Sequence, residues 1–181
     1  MLRYGLILAA VIVAADQLSK YWVLEMLHFS PPGCREMGAG CGAIEVSRIF
    51  DLTMVWNRGV SFGLLRAGSE AASWGLVALQ LGIAGFFGWW LRTAQTRLAA
   101  TALAFVIGGA IGNVIDRVRF QAVVDFLDFT GLGFPWVFNV ADAAINVGAG
   151  LLILDFLLRR EPKRAPAAPS EHAASEEPEI H

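Results

Sequence analysis

The stretch "FNVADAAINVGAGLLILDF", residues 138–156, is apolar and long enough to cross a bilayer as a helix. Its first half nevertheless carries Asn139, Asp142 and Asn146, spaced i, i+3 and i+7 along one face of such a helix. A carboxylate inside the hydrocarbon layer costs a few kcal/mol on insertion scales. We therefore expect this polar face to look into a bundle of helices and to have a function there.

The composition is typical of an integral membrane protein. Of the 181 residues, 56% are hydrophobic and only 17% are charged, whereas about a quarter of the residues of a soluble domain are charged. Hydrophobic runs of about twenty residues can span the membrane as helices, and the chain has four: residues 4–24, 71–91, 98–115 and 137–158. With the polar connections at residues 25–70 and 116–136, they form a single domain over residues 1–160.

The distribution of lysine and arginine predicts the orientation, because cytoplasmic ends of membrane helices are enriched in these residues. If the four runs alternate in direction, one side receives Arg3, Arg92, Arg97, Arg159, Arg160, Lys163 and Arg164. Both termini are therefore predicted in the cytoplasm, including a disordered tail rich in Pro, Ala and Glu at residues 161–181. The first run also resembles a cleavable secretory signal, but its apolar residues continue to Leu24, which favours a retained helix.

The two outer connections contain strand patterns. "AIEVSRIFDLTMVWN" (residues 43–57) and "FQAVVDFLDF" (residues 120–129) are rich in β-branched and aromatic residues in rough alternation. We expect both to supply strands to one small sheet that caps the helices. Cys34 and Cys41 could form a disulfide bond in an oxidising compartment or remain free thiols, and their spacing is not that of a zinc site.

The residue inventory leaves several kinds of catalytic site without support. The histidines are His28, His172 and His181, which do not suit a Ser-His-Asp, Cys-His or His-Glu-x-x-His arrangement. The sequence also lacks a glycine-rich phosphate loop. We therefore expect no metal, no cofactor and no nucleic-acid partner. Any catalysis must use carboxylates, a lysine or hydroxyl groups.

Asp125 and Asp142 are the candidate catalytic pair. They are seventeen positions apart, so a turn could bring both carboxylates together at one face of the membrane. Like charge and partial desolvation would then make them share a proton. One carboxylate could activate a water while the other protonates a scissile carbonyl. Two alternatives stay open at this point: a hydrogen bond between packed helices, and a path for ions or protons.

Asp16 and Lys20 are spaced i, i+4 with the acid first, which favours an ion pair inside the bundle. Lys20 could instead bind a lipid phosphate as a cation. A Ser-Lys protease is a further alternative. Its nucleophile would be Ser61, because Ser19 adjoins Lys20 and neighbours on a helix do not face each other.

Five ordered motifs resemble those of the lipoprotein signal peptidases, also called signal peptidase II. They are "DQLSK" at 16–20, "NRGVSFGLL" at 57–65, "GGAIGNVIDR" at 108–117, "VVDF" at 123–126 and "FNVADAAINVG" at 138–148. The resemblance implies an aspartic endopeptidase of the bacterial inner membrane, an all-α protein with a four-helix bundle, a small periplasmic β-cradle and a short extracytoplasmic helix. It also implies a monomer in contact with membrane lipid. The implied substrate is a prolipoprotein with a diacylglyceryl cysteine, cut before that cysteine.

The resemblance implies a set of site residues as well. The catalytic pair would be Asp125 and Asp142, while Asp16 and Lys20 would form a structural ion pair. The site-lining or substrate-binding residues would be Asn57, Arg58, Gly59, Phe62, Asn113, Arg117, Phe138 and Asn139. The sequence departs from the family pattern at Val60-Ser61, where Ala-Ala is common, in the cysteine-bearing insert at residues 31–42, and in its acidic tail.

The end of the first connection is predicted to form a mobile cover over the pair. Gly59 and Gly63 flank Phe62, and their backbone freedom would let the cover open for a substrate that enters sideways from the lipid. The alternative is a static cap in which Trp56 and Phe62 pack against the lipid headgroups.

Overall fold

The computed structural model describes residues 1–30, 33–37, 41–59 and 70–158. Within these ranges four helices are long and apolar enough to cross a membrane: Leu2–Met26, Glu70–Leu91, Arg97–Phe120 and Val140–Leu158. The prediction of four apolar helices is therefore confirmed. The predicted cover at Phe62 and Gly63, the candidate nucleophile Ser61 and the tail at residues 161–181 lie outside the described residues.

The elements follow one another along the described chain in a simple order. The helices are α1 (Leu2–Tyr21), α2 (Cys34–Met37), α3 (Glu70–Leu91), α4 (Arg97–Phe120) and α5 (Val140–Leu158). The strands are β1 (Ala43–Glu45), β2 (Asp51–Asn57), β3 (Val123–Asp128) and β4 (Val137–Phe138). Helix α1 continues into a π-helical turn, Trp22–Met26, and a 3-10 turn, Thr130–Leu132, lies between β3 and β4.

Helix α4 is the central helix and packs against α1, α3 and α5. Small residues let these helices approach closely, since a Cβ atom at Gly108 would lie 2.8 Å from Cβ of Ile12 on α1. The outer faces of the other long helices expose large apolar side chains such as Ile7, Phe86 and Phe156. Such faces suit helices that are surrounded by lipid.

The four strands form one antiparallel sheet in the order β1-β2-β3-β4. Strand β2 buries Leu52, Met54 and Trp56 on alternate positions, and these side chains share a small apolar core with Val23 and Phe126. Strands β1 and β2 come from the first polar connection and β3 from the second, while β4 comes from the first two residues of the fourth apolar run. The prediction that both connections supply one small sheet is therefore confirmed.

The fourth helix begins later than the hydropathy pattern predicts. The pattern starts the helix at residue 137, whereas Val137–Phe138 is strand β4, which pairs with β3, and helix α5 begins at Val140. A short apolar run does not by itself distinguish a strand from a helix. As a consequence Asp142 lies in the first turn of α5.

The third helix ends later than predicted. The apolar run stops at residue 115, but α4 continues to Phe120 through Asp116, Arg117 and Arg119. Asp116 and Arg117 are buried and hydrogen-bonded to other elements. These hydrogen bonds offset the free-energy cost of burying two charged side chains at the end of the helix.

Cys34 and Cys41 are joined by a disulfide bond, with their Cα atoms 5.2 Å apart. Cys34 is fully buried in the apolar core under the sheet. The bond therefore fastens α2 to the chain that leads into β1.

Candidate active site

Asp125 lies in the middle of β3, opposite Val55 of β2, and its side chain is only 1% exposed. Both carboxylate oxygens accept hydrogen bonds. Oδ1 accepts from Nδ2 of Asn139 at 2.6 Å, and Oδ2 accepts from Nδ2 of Asn57 at 3.0 Å. The sheet thus presents a buried carboxylate that two amides hold in place.

Asp142 reaches the same place from helix α5. Its Oδ1 accepts a hydrogen bond from Nδ2 of Asn113 at 2.8 Å. Its backbone N–H donates to Oδ1 of Asn139 at 2.8 Å, which makes Asn139 the N-cap of α5. Asp142 thus lies in the first turn of α5, at the positive end of the helix dipole.

Asn139 connects the two aspartates through one amide group and is completely buried. Its oxygen accepts from the Asp142 backbone, while its nitrogen donates to Asp125 and, at 3.2 Å, to Oδ1 of Asn113. The expectation that Asn139, Asp142 and Asn146 share one inward helix face is wrong. Asn139 precedes the helix, and Asn146 is exposed and donates to the Asp142 carbonyl.

The environment of Asp125 disfavours its charged form. The pKa of Asp125 is raised to about 7, mainly by burial and further by repulsion from the Asp142 carboxylate. The amide donors from Asn57 and Asn139 and the charge of Lys20 lower the pKa of Asp125 and offset only part of the rise. One carboxyl group of the pair is therefore suited to hold a proton near neutral pH.

Arg117, in the last turns of α4, acts as a counter-ion for the two aspartates. Its guanidinium interacts electrostatically with the carboxylates of Asp142 and Asp125. Nη1 donates to Oε1 of Gln80 on α3 at 2.9 Å, which fixes the orientation of the planar group.

The remaining residues predicted to line the site occupy different positions. Gly59 has a φ of 100°, which favours glycine, and its N–H donates to Oδ1 of Asn57 at 2.9 Å. That bond turns the Asn57 amide so that its nitrogen faces Asp125. Phe138 is half-buried in β4, directly before Asn139. Phe62 lies outside the described residues.

Arg58 is not brought to the carboxylates in the described structure. Its Nη2 donates to the backbone carbonyl of Arg35 in α2 at 2.6 Å. Arg58 therefore holds the disulfide-bonded segment against the end of β2.

The predicted ion pair has a third member. Lys20 Nζ lies 2.8 Å from Oδ2 of Asp16 and also 2.8 Å from Oδ2 of Asp116. The two-residue pair expected from the i, i+4 spacing is thus incomplete, because its second acid comes from α4. All three side chains are almost completely buried, so the alternative in which Lys20 binds a lipid phosphate is wrong. Ser19 instead donates to the Asp16 carbonyl.

Three polar residues at the site escaped the sequence reasoning: Gln17, Gln80 and Asp116. Gln80 is an isolated polar side chain in an apolar run, and such residues mark functional positions in membrane helices. Asp116 and Gln17 belong to quoted motifs, but nothing in their spacing reveals that α1 and α4 touch there.

The site contains the groups needed for acid–base hydrolysis. Two carboxylates come from different elements, amides orient them, and a guanidinium balances their charge. Among the described residues, no group of three or more His, Cys, Asp or Glu side chains is placed to hold a metal ion. Water activation by carboxylates is the chemistry that this arrangement can perform.

The fold and the site define a membrane protein with a polar centre suited to hydrolysis at one end of its apolar helices. The family model described as "Signal peptidase (SPase) II" matches residues 8–158, and the chain belongs to this family. The resemblance found in the five motifs is therefore confirmed.

Individual relatives agree with this assignment. The chain is 44% identical to the lipoprotein signal peptidase of Caulobacter vibrioides over 157 residues, which cover 86% of this chain and 88% of that protein. It is 39% identical to the lipoprotein signal peptidase of Nitrobacter hamburgensis over 170 residues, which cover 91% and 98%.

Two solved structures share the fold, and both are described as a bacterial membrane enzyme. The first, at 2.3 Å resolution, has a TM-score of 0.68 and 25% identity and covers 88% of this chain and 94% of that chain. The second, at 1.9 Å, has a TM-score of 0.64 and 26% identity. The chain is thus a membrane protease of the signal peptidase type, and the alternative of an ion or proton transporter receives no support.

Proposed function

We propose that the protein is an aspartic endopeptidase that uses Asp125 and Asp142 to remove the signal peptide from prolipoproteins. The observation that carries this proposal is the Asn139 side-chain amide, whose nitrogen donates to the Asp125 carboxylate and whose oxygen accepts from the backbone N–H of Asp142. The names of the relatives supply the substrate class. The cleaved bond precedes a cysteine that bears a diacylglyceryl group.

In the proposed reaction a water molecule lies between the two carboxyl groups. Asp142, at the positive end of α5, takes a proton from the water, and the oxygen attacks the scissile carbonyl carbon. Asp125, protonated because its pKa is about 7, donates its proton to the carbonyl oxygen. The resulting diol collapses when the proton on Asp142 passes to the cysteine nitrogen, and Asp125 recovers its proton from the diol. The C–N bond breaks and the water's atoms end in the two products.

The neighbouring residues support this division of roles. Asn113 donates to Oδ1 of Asp142, and in the proposed mechanism the water binds the other oxygen of that carboxylate. Asn57 and Asn139 hold Asp125 in one rotamer. Arg117 lowers the cost of placing two carboxyl groups together.

The surface around the site suits the outer face of a bilayer. Exposed aromatic side chains surround the end of the helices that carries the sheet, and interfacial aromatics are typical of membrane boundaries. They are Tyr21, Trp22, Phe134 and Trp136. The described arginines at the opposite helix ends are Arg3, Arg92 and Arg97. We therefore propose that the N-terminus of α1 lies in the cytoplasm and that the catalytic pair lies at the periplasmic surface of the inner membrane. We also propose that the active protein is a monomer.

The first prediction tests the catalytic pair. We expect purified protein in lipid to shorten a diacylglyceryl-modified prolipoprotein and to leave the unmodified form intact. Asp125→Asn and Asp142→Asn should each reduce cleavage by at least about a thousandfold, because an amide cannot exchange the proton. The readout is the shortened product on a gel, with circular dichroism to verify that both variants are folded.

Asp51→Asn is the matched control, since Asp51 lies in the same sheet away from the pair and should retain activity. Substantial cleavage by either variant of the pair would contradict the aspartic mechanism.

A further inference from the structure

Each proposed catalytic aspartate follows a residue whose backbone N–H is held by another aspartate. The N–H of Ala141, directly before Asp142, donates to Oδ1 of Asp16 at 2.9 Å. The N–H of Val124, directly before Asp125, donates to Oδ2 of Asp116 at 3.1 Å. The two elements that carry the catalytic pair are thus fixed in the same way at equivalent points.

One lysine joins the two holding carboxylates. Lys20 Nζ is 2.8 Å from Oδ2 of Asp16 and 2.8 Å from Oδ2 of Asp116. Gln17 forms a second bridge, since its Nε2 lies 3.1 Å from Oδ2 of Asp16 and 3.0 Å from Oδ1 of Asp116. Gly112 makes the approach of α4 possible, because a Cβ atom there would lie 2.6 Å from Oδ2 of Asp16.

We propose that Asp16, Lys20 and Asp116 form a clamp, in which they act as positioning residues that set the separation of the Asp125 and Asp142 carboxylates. This inference rests on the proposed function of that pair. Asp116 holds the sheet side, Asp16 holds the helix side, and Lys20 fixes the distance between them. Lys20 also reaches Oδ1 of Asn113 at 3.3 Å, which extends the clamp to the amide that binds Asp142.

The charges of the clamp indicate that it positions the two aspartates and does not serve only to stabilise the fold. Two buried acids share one buried base, so the group carries more negative than positive side chains. Buried charges of this kind are often no more stabilising than apolar side chains of similar volume. What they provide is a set of directed bonds, and a displacement of about 1 Å in a catalytic group can cost about a hundredfold in rate.

The test is the variant Asp116→Asn, which keeps the shape of the side chain but removes the charge that holds Lys20. We expect kcat to fall by about 10- to 100-fold and KM to stay within about twofold, because substrate contacts are unchanged. The charged groups facing Asp125 are Asp142, Arg117 and Lys20. Asp116→Asn removes one of the two carboxylates that neutralise Lys20, so the pKa of Asp125 and with it the alkaline limit of kcat/KM should move to lower pH. The measurement is a pH series of steady-state cleavage of a synthetic diacylglyceryl peptide.

Asp155→Asn is the matched control. Asp155 is a buried acid on α5 near the opposite end of the bundle, where its Oδ1 accepts from Thr96 at 2.6 Å. The same substitution there should lower the melting temperature and leave kcat, KM and the pH profile unchanged. A folded Asp116→Asn protein with wild-type kcat and pH profile would overturn the clamp, as would an equal loss of kcat in Asp155→Asn.

If Asp116→Asn does not fold, Lys20→Arg decides, because it keeps the charge and changes only the geometry. A reduced kcat with unchanged KM supports the clamp, and unchanged kcat overturns it. Failure of both variants to fold also overturns it, because the three residues would then serve folding alone. Asp125→Asn is measured in parallel: retained cleavage there refutes the proposed catalytic pair, whereas abolished cleavage with an unaffected Asp116→Asn refutes the clamp only.

Discussion

Asn139 uses both ends of one amide group at the centre of the site. The oxygen can only accept and the nitrogen can only donate, so the bond from the Asp142 backbone and the bond to Asp125 determine a single orientation. A leucine would lose both bonds, and an aspartate would place a third carboxylate between the pair. The identity of this residue is therefore constrained by two partners at once.

The pH dependence of activity is the prediction that belongs to Asp125. Its pKa is about 7 in the folded protein, against 3.8 for an ordinary aspartate. We expect kcat/KM to fall above about pH 7 as Asp125 loses its proton. The free energy of unfolding should decrease as the pH rises from about 4 to about 7, because the folded state binds the extra proton in that window. A pH series of cleavage rates and of chemical denaturation measures both effects.

Asp142→Asn provides an internal check on the same pKa. Removing the negative charge of Asp142 should lower the pKa of Asp125, and carboxyl-resolved NMR or infrared titration can record the change even though the variant is inactive. Asp51→Asn should not change it. A flat rate between pH 6 and 9 in the wild-type protein would contradict a protonated Asp125.

For individual residues, the sequence predicted which carboxylates belong to the site but not which side chains they contact. Intramembrane acids stand out in an apolar chain, and the motifs identify Asp125 and Asp142 directly. The partnership of Lys20 with Asp116 spans 96 positions (116 − 20), and only the packing of α1 on α4 creates it. Spacing rules such as i, i+4 detect neighbours on one helix and nothing between helices.

The first turn of helix α5, more than its apolar body, determines the position of the proposed catalytic residues. Asn139→Ala removes the N-cap, which typically costs about 1 kcal/mol, and leaves Asp125 without one of its donors. We therefore expect both a lower melting temperature and at least a tenfold loss of kcat. Thermal unfolding and steady-state cleavage measure the two effects.

Thr96→Ala is the matched control for this prediction. Thr96 caps α4 at its first turn, where its hydroxyl accepts from the Ala99 N–H at 3.0 Å. This variant should lose stability by a similar amount and keep its kcat. If Thr96→Ala lost as much activity as Asn139→Ala, the effect would come from helix stability and not from the position of the carboxylates.

The element boundaries at the site were the least predictable part of the fold. Val137 and Phe138 are apolar, so hydropathy joined them to the helix, although they pair with β3. The polar end of α4 was assigned to a loop because Asp116 and Arg117 are charged. In both cases tertiary contacts decided the outcome, whereas the apolar bodies of the helices followed from hydropathy alone.

The membrane orientation is a prediction about the whole molecule. The proposed catalytic pair should face the periplasm, as the arginines at the opposite helix ends indicate. Leu132→Cys introduces a thiol on the sheet side, where Leu132 is 63% exposed. A membrane-impermeant maleimide should label this variant in intact cells.

Gln95→Cys is the matched control at the opposite end, in the exposed turn between α3 and α4. It should be labelled only after the cells are lysed. The native cysteines form a disulfide bond and should not react. Labelling of Gln95→Cys but not of Leu132→Cys in intact cells would reverse the orientation.

The position of the catalytic pair has a consequence for biosynthesis. Asp125 precedes helix α5, while Asn139 and Asp142 lie at the start of that helix. Asp125 therefore lacks its hydrogen bond from Asn139, and the second carboxylate is absent, until the fourth apolar helix has entered the membrane. A partly synthesised chain already contains α1, α3, α4 and most of the sheet, but under the proposed mechanism we expect it to have no peptidase activity, because Asp142 is missing. The proposed mechanism therefore predicts a protease that is inactive during its own insertion into the membrane.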